Sequence, residues 1–173
     1  MRNLLTPDLI LPSGVTGIDL QALKRRGIRG LILDVDDTLL VLGASDLDPA
    51  VIEWVEEAKQ DFQLWIASNN PSTRLISSVA DVLDIPFINN AKKPFRRSLR
   101  RVIAEMELTP VQVAIVGDRL LTDVLGGNRL GLYTVLVLPP GPARSLGAKV
   151  IRALERRIYH LTRNKLTVDA SNF

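Results

Sequence analysis

Three carboxylates in four residues, Asp34, Asp36 and Asp37, followed by Thr38, close the short apolar run that begins at Gly30. An ionised group at the end of such a run is costly unless something pairs with it, so Asp34 above all calls for a chemical explanation. Three more polar strings stand behind apolar runs: Ser68-Asn69-Asn70, Lys92-Lys93-Pro94, and Gly117-Asp118 with Asp123 five residues on. Together they offer carboxylates, a hydroxyl, amides and an ammonium. Clustered carboxylates repel one another unless a cation neutralises them. A hard ion such as Mg²⁺ takes oxygen ligands, commonly one or two carboxylates plus water and a phosphate oxygen. Phosphoryl transfer needs mainly in-line positioning and charge stabilisation. The set therefore points to Mg²⁺ and a phosphoryl group at one site. Plainer uses exist for some members: Ser68 and Asn69 suit helix caps, and Asp123 suits the first turn of a helix. There is no cysteine and a single histidine, His160, which excludes thiolate chemistry and argues against multi-histidine metal sites and a Ser-His-Asp triad.

The elements that must position these strings alternate along the chain. Short apolar runs at 30–35, 62–68, 86–89, 111–116 and 132–137 read as strands, and stretches near 50–60, 73–83, 95–107 and 120–129 read as helices. Asp48-Pro49 and Ser72 supply helix starts. Strands alternating with single helices predict an α/β fold: a Rossmann-like, mostly parallel five-stranded sheet with helices on both faces. The polar strings then lie at the carboxyl ends of the strands, where open parallel sheets bind ligands. The chain's 173 residues suit one domain, with a core over 1–142. Beyond Pro139-Pro140-Gly141-Pro142, residues 143–173 read as a basic amphipathic helix and tail of that same domain, with Leu146, Val150, Leu154, Ile158 and Leu161 forming its apolar stripe. No apolar run approaches the ~20 residues of a membrane span, and Pro7, Asp8 and Pro12 break the apolar N-terminal stretch. The expectation is a non-exported protein of the cytoplasm or an organelle interior, compatible with peripheral attachment to the inner face of a membrane.

In order and spacing, the four strings resemble the motifs of the haloacid dehalogenase (HAD) superfamily, over roughly residues 29–138. The resemblance implies that Asp34 attacks phosphorus and that Asp36 protonates the leaving oxygen and then activates water. Thr38 would orient the loop and, with Ser68, Asn69 and Lys93, belong to the phosphate-binding set. It implies Lys93 as the catalytic lysine, with Lys92 as the competing choice. Mg²⁺ would be held by Asp34, the Asp36 main-chain carbonyl and Asp118, with Asp123 supporting them. Asp37 matches no required position. Only 33 residues separate Asp34 from Ser68, and 24 separate Ser68 from Lys93, so neither gap holds a sizeable cap domain. In finer detail the chain resembles the YqeG-type branch of subfamily IIIA, which includes phosphatidylglycerophosphate phosphatases. Leu11-Pro12, Ile18-Asp19-Leu20, Lys24–Gly30, Asn90–Pro94 and above all Gly117–Arg129 carry that likeness.

The implied activity is hydrolysis of phosphatidylglycerophosphate to phosphatidylglycerol, with a soluble sugar phosphate or nucleotide as the alternative substrate. Six bases fall within residues 92–101, and a second basic cluster occupies 143–165, in a chain of net charge +3. Both suit an anionic phospholipid partner and peripheral membrane contact, though a solvated face has the same look. A non-catalytic nucleic-acid binder leaves the carboxylates unexplained, so no nucleic acid is expected, and no oligomeric state is implied. A signalling receiver domain fits poorly, because there the reactive Asp ends the third strand.

Overall fold

The computed structural model describes residues 3–41, 43–44 and 46–137. The expected basic helix and tail at 143–173 lie outside the described residues. So do His160 and the second basic cluster.

Six strands form one parallel sheet: β1 (Leu9–Leu11), β2 (Gly30–Leu33), β3 (Gln63–Ala67), β4 (Phe87–Ile88), β5 (Val113–Gly117) and β6 (Tyr133–Val137). Their order is β1-β6-β5-β2-β3-β4. The sheet thus has one strand more than the five apolar runs predict. The extra strand, β1, is three residues long, too short to show a periodicity. It is registered from outside itself: the Asp8 carboxylate accepts hydrogen bonds from Thr134 N at 2.8 Å and Thr134 Oγ1 at 3.0 Å. Leu9 then pairs with Val135 on β6.

The centre of the sheet is β2, flanked by β5 and β3. All of its residues are buried, which is why it reads as continuous apolar sequence and not as alternation. Leu31 and Leu33 belong to the cluster on one face, beneath α1 (Leu20–Arg25), α2 (Pro49–Lys59) and α3 (Thr73–Leu83). Ile32 belongs to the other, with Leu99, Val102 and Ile103 of α4 (Arg96–Glu105). Asp48 accepts a hydrogen bond from Ala50 N at 2.9 Å, with Pro49 opening α2. Ser72 Oγ accepts from Leu75 N at 3.3 Å to cap α3.

The stretch expected as one helix over 120–129 is divided. Leu120–Val124 is a π-helical turn, and α5 (Leu125–Asn128) follows it. The wide turn is closed by Val124 N donating to Arg119 O at 3.3 Å. Such turns concentrate at functional sites, and this one carries Asp123. No helix among the described residues is long and apolar enough to cross a membrane.

Candidate active site

Every polar string lands at the carboxyl edge of the sheet. Asp34 prolongs β2 by one residue, and its N–H donates to Val116 O on β5 at 2.9 Å. Asp118 follows directly on β5, and Asp123 returns from the π-helical turn. Ligand oxygens of Asp34, Asp118 and Asp123 lie within 4.8 Å of one another, and all three residues are buried. Lys93 Nζ stands between two of them, 2.9 Å from Asp34 Oδ1 and 2.6 Å from Asp123 Oδ1, with its side chain 1% exposed. Lys92 is exposed and has a left-handed backbone, φ 53°. The two adjacent lysines are therefore divided between solvent and the carboxylates.

Two features hold this geometry. Gly117 has to be glycine, because a Cβ there would lie 2.4 Å from Asp123 Cγ. The Asp123 carboxylate leans on that bare backbone and accepts hydrogen bonds from Thr122 Oγ1 at 3.1 Å and Arg119 N at 3.3 Å. The second feature is Asn69. Its Nδ2 donates to Lys93 O at 2.8 Å, and its Oδ1 accepts from Lys93 N at 2.8 Å. Asn69 thus spends its amide on the main chain of the lysine. Ser68 is fully buried, and its Oγ accepts from Asn70 N at 3.0 Å.

Asp36 is half-buried, and Asn70 Nδ2 donates to its Oδ1 at 2.9 Å and its Oδ2 at 3.0 Å. Asn70 is in turn oriented by Ser72 N, which donates to Asn70 Oδ1 at 2.8 Å. Asn70 is absent from the residues singled out from sequence, although it stands in the same Ser-Asn-Asn string. Arg119 is a second such residue; its Nε is 3.6 Å from Asp118 Oδ1. Asp37 has a left-handed backbone, φ 57°, and its N–H donates to Leu40 O at 2.8 Å, closing the turn after β2. Thr38 is buried, with Oγ1 lacking a hydrogen-bond partner.

The electrostatics are those of a site short of positive charge. Burial pushes Asp34 up to about 6, opposed chiefly by Lys93. Burial and the Asp123 charge push Asp118 up to about 8. For Lys93, burial pulls the pKa down, but Asp123 and Asp34 more than reverse this and hold the ammonium charged. Asp118 Oδ1 is buried without a hydrogen-bond partner. Three buried carboxylates with one ammonium among them, and an Asp118 oxygen that has no hydrogen bond and meets only the Arg119 guanidinium at 3.6 Å, fit a divalent oxygen-seeking cation. Asp34, Asp118 and Asp123 are the side chains that would hold it.

Comparison with known proteins gives this geometry its family. The chain is 38% identical over 146 residues to "Probable phosphatase YqeG" of Bacillus subtilis (strain 168), covering 84% of each chain. The chain belongs to the HAD-like hydrolases, in the YqeG-type branch. A HAD-hydrolase-like family model matches residues 90–141, the stretch that brings Lys93, Asp118 and Asp123 to this HAD site. A second relative is the chloroplastic phosphatidylglycerophosphate phosphatase 1 of Chlamydomonas reinhardtii, 29% identical over 147 residues. That match takes in 80% of this chain but 54% of the algal protein, so the chain spans about half of that relative's length. Among solved structures, D,D-heptose 1,7-bisphosphate phosphatase of B. bronchiseptica, complexed with magnesium and phosphate, superposes with a TM-score of 0.54. It is 17% identical and shares 75% of this chain and 99% of its own, a likeness of fold. The protein is a HAD-type phosphatase with a buried acidic centre.

Proposed function

We propose that this phosphatase is Mg²⁺-dependent, works through an aspartyl-phosphate on Asp34, and takes phosphatidylglycerophosphate as its substrate. The observation that carries the chemistry is the Lys93 ammonium held between Asp34 and Asp123, beside the buried carboxylate of Asp118. An Asp34 oxygen forms the bond to phosphorus as the ester P–O bond breaks. Asp36 delivers a proton to the departing alcohol oxygen, then takes one from the water that attacks phosphorus, releasing phosphate and restoring the Asp34 carboxylate. Lys93 keeps Asp34 ionised against its burial, and the Thr38 hydroxyl is free to donate to a phosphoryl oxygen. Bound Mg²⁺ supplies the remaining positive charge for the carboxylates and the phosphoryl oxygens.

Two observations support a lipid phosphate. One is the likeness to a protein named as a phosphatidylglycerophosphate phosphatase. The other is the shortness of two connections, from Thr38 to α2 at Pro49 and from Ser68 to Lys93, neither of which inserts a cap domain. A site without an inserted cap admits a head group still attached to its bilayer. Phosphate release measured with Mg²⁺, on phosphatidylglycerophosphate in detergent micelles and on sugar phosphates and nucleotides, tests the reading. The expected result is a higher kcat/KM on the lipid. Turnover of soluble esters with the lipid inert would remove the lipid and leave the chemistry.

A further inference from the structure

The carboxyl edge that carries Lys93 also carries the largest exposed apolar side chain among the described residues. Phe95 is 69% exposed and lies two residues after Lys93, within about 7 Å along the chain. It stands where α4 begins and makes no side-chain capping bond. Leu99, Val102 and Ile103 bury one face of α4 against the sheet. The opposite face carries Arg96, Arg97, Arg100 and Arg101, all exposed. Among the described residues, only Arg101 has an acidic partner there, Glu105 at 3.8 Å. Arg96 and Arg100 stand four apart, Arg97 and Arg100 three apart, and like charges at those spacings repel. The first turn of α4 contains no acid. A solvated helix face chosen for stability would alternate its signs. This one concentrates a single sign beside an unburied phenyl ring, at the mouth of a phosphatase.

We propose that Phe95 and the basic face of α4 form the surface by which this protein docks on an anionic lipid bilayer. The reason an anionic surface must be met rests on the lipid-phosphate reading above; the location rests on α4 itself. Arginines attract the acidic head groups, and the aromatic ring enters the interface. Because Phe95 is so close to Lys93 in the chain, docking by this edge brings the catalytic centre down at head-group level. A nucleic acid fits less well: stacking on single strands uses several aromatics, and Phe95 is the only aromatic residue in the 92–101 segment.

Co-sedimentation of the 173-residue chain with vesicles tests this, using phosphatidylcholine alone or phosphatidylcholine containing phosphatidylglycerol. Phe95→Ser and the triple variant Arg96→Gln/Arg97→Gln/Arg100→Gln are compared with the parent protein. p-Nitrophenyl phosphate turnover and thermal melting serve as controls for folding. The parent should bind only the phosphatidylglycerol vesicles, and added salt should weaken that binding. Each lost arginine should weaken it about fivefold, so the triple variant should lose about a hundredfold. Phe95→Ser should lose about tenfold. Turnover of the soluble ester should not change in either variant. Unaltered vesicle binding by both variants overturns the proposal, as does tighter binding to single-stranded RNA than to vesicles. The substrate is judged separately in micelles. If micellar phosphatidylglycerophosphate is not hydrolysed while vesicle binding follows this pattern, the substrate reading fails and the docking surface stands. Micellar hydrolysis with variant-insensitive vesicle binding means the reverse.

Discussion

Replacing Lys93 by Met removes the one buried counter-charge at the centre and leaves the side-chain volume nearly filled. In the parent protein the ammonium is 2.9 Å from Asp34 Oδ1 and 2.6 Å from Asp123 Oδ1, almost wholly out of solvent. Removing one partner of such a pair strands the other and destabilises by about 3–5 kcal/mol. For a chain of this size that corresponds to a melting temperature lower by about 6–20 °C. The loss should depend on pH, with a defined sign. Without Lys93, Asp34 rises above its present value of about 6, while Asp118 is already at about 8. Both exceed their unfolded values, so stability falls as pH rises from about 4 toward each folded pKa. Asp118 does this in both proteins, and the variant's extra loss comes from Asp34, opening above about pH 6 where the parent's Asp34 is already ionised. Urea unfolding of the metal-free variant, followed by the fluorescence of buried Trp54 and partly buried Trp65, should show the full deficit at pH 8 and much less at pH 5. Added Mg²⁺ should raise the variant's stability more than the parent's. A deficit below about 1 kcal/mol at pH 8, or one equal at both pH values, would refute Lys93 as the counter-charge of the cluster.

Four further outcomes follow from the same geometry. Asp34→Asn should abolish turnover, yet raise the stability of the metal-free protein at pH 8, because it removes a carboxylate that burial holds at about 6; retained activity would reject Asp34 as nucleophile. Asn70→Ala frees Asp36 and should slow hydrolysis of alkyl phosphates about tenfold or more, with a smaller loss on p-nitrophenyl phosphate, whose leaving group needs no proton but whose phospho-enzyme still needs Asp36 as base. It should add nothing to Asp36→Asn; an additive effect in that double variant would separate the two residues. Gly117→Ala should displace the Asp123 carboxylate, destabilise by about 1–3 kcal/mol and weaken Mg²⁺ binding, as measured by the melting shift on titration. For the parent protein, saturating Mg²⁺ at about a hundred times its Kd should stabilise by about 2.7 kcal/mol. That gain should shrink as pH falls below about 8, where Asp118 takes up a proton; a Mg²⁺ effect equal at pH 6 and pH 8 would argue against Asp118 as a ligand.

Much of the scaffold was legible in the residues because burial writes itself into composition. The apolar run at 30–35 marks a central strand whose two faces are both covered, and α3 occupies the predicted 73–83, from its Ser72 cap to its end. The polar strings were legible for the complementary reason that carboxylates, amides and lysines at the ends of such runs have no apolar use. What could not be read was whatever a single contact decides. Strand β1 depends on Asp8 meeting Thr134, far away in sequence. Lys92 and Lys93 are chemically identical, and only the backbone of their loop directs one to solvent and the other to the carboxylates. Asn69 and Asn70 are likewise the same residue type. One is spent on the main chain of Lys93 and the other on the carboxylate of Asp36, a division that follows from where β3 ends and α3 begins.

The Asn69 clamp has a consequence for the reaction cycle. Lys93 is located by two hydrogen bonds to its own main chain, independently of the acids that its side chain neutralises. In the proposed cycle Asp34 alternates between a free carboxylate and a phosphate ester, so the charge opposite the ammonium changes twice in each turnover. A lysine held only by attraction to its partners would drift whenever that charge changed. Lys93 is mounted on a frame that does not take part in the chemistry, so the next substrate finds its cation where the last one left it.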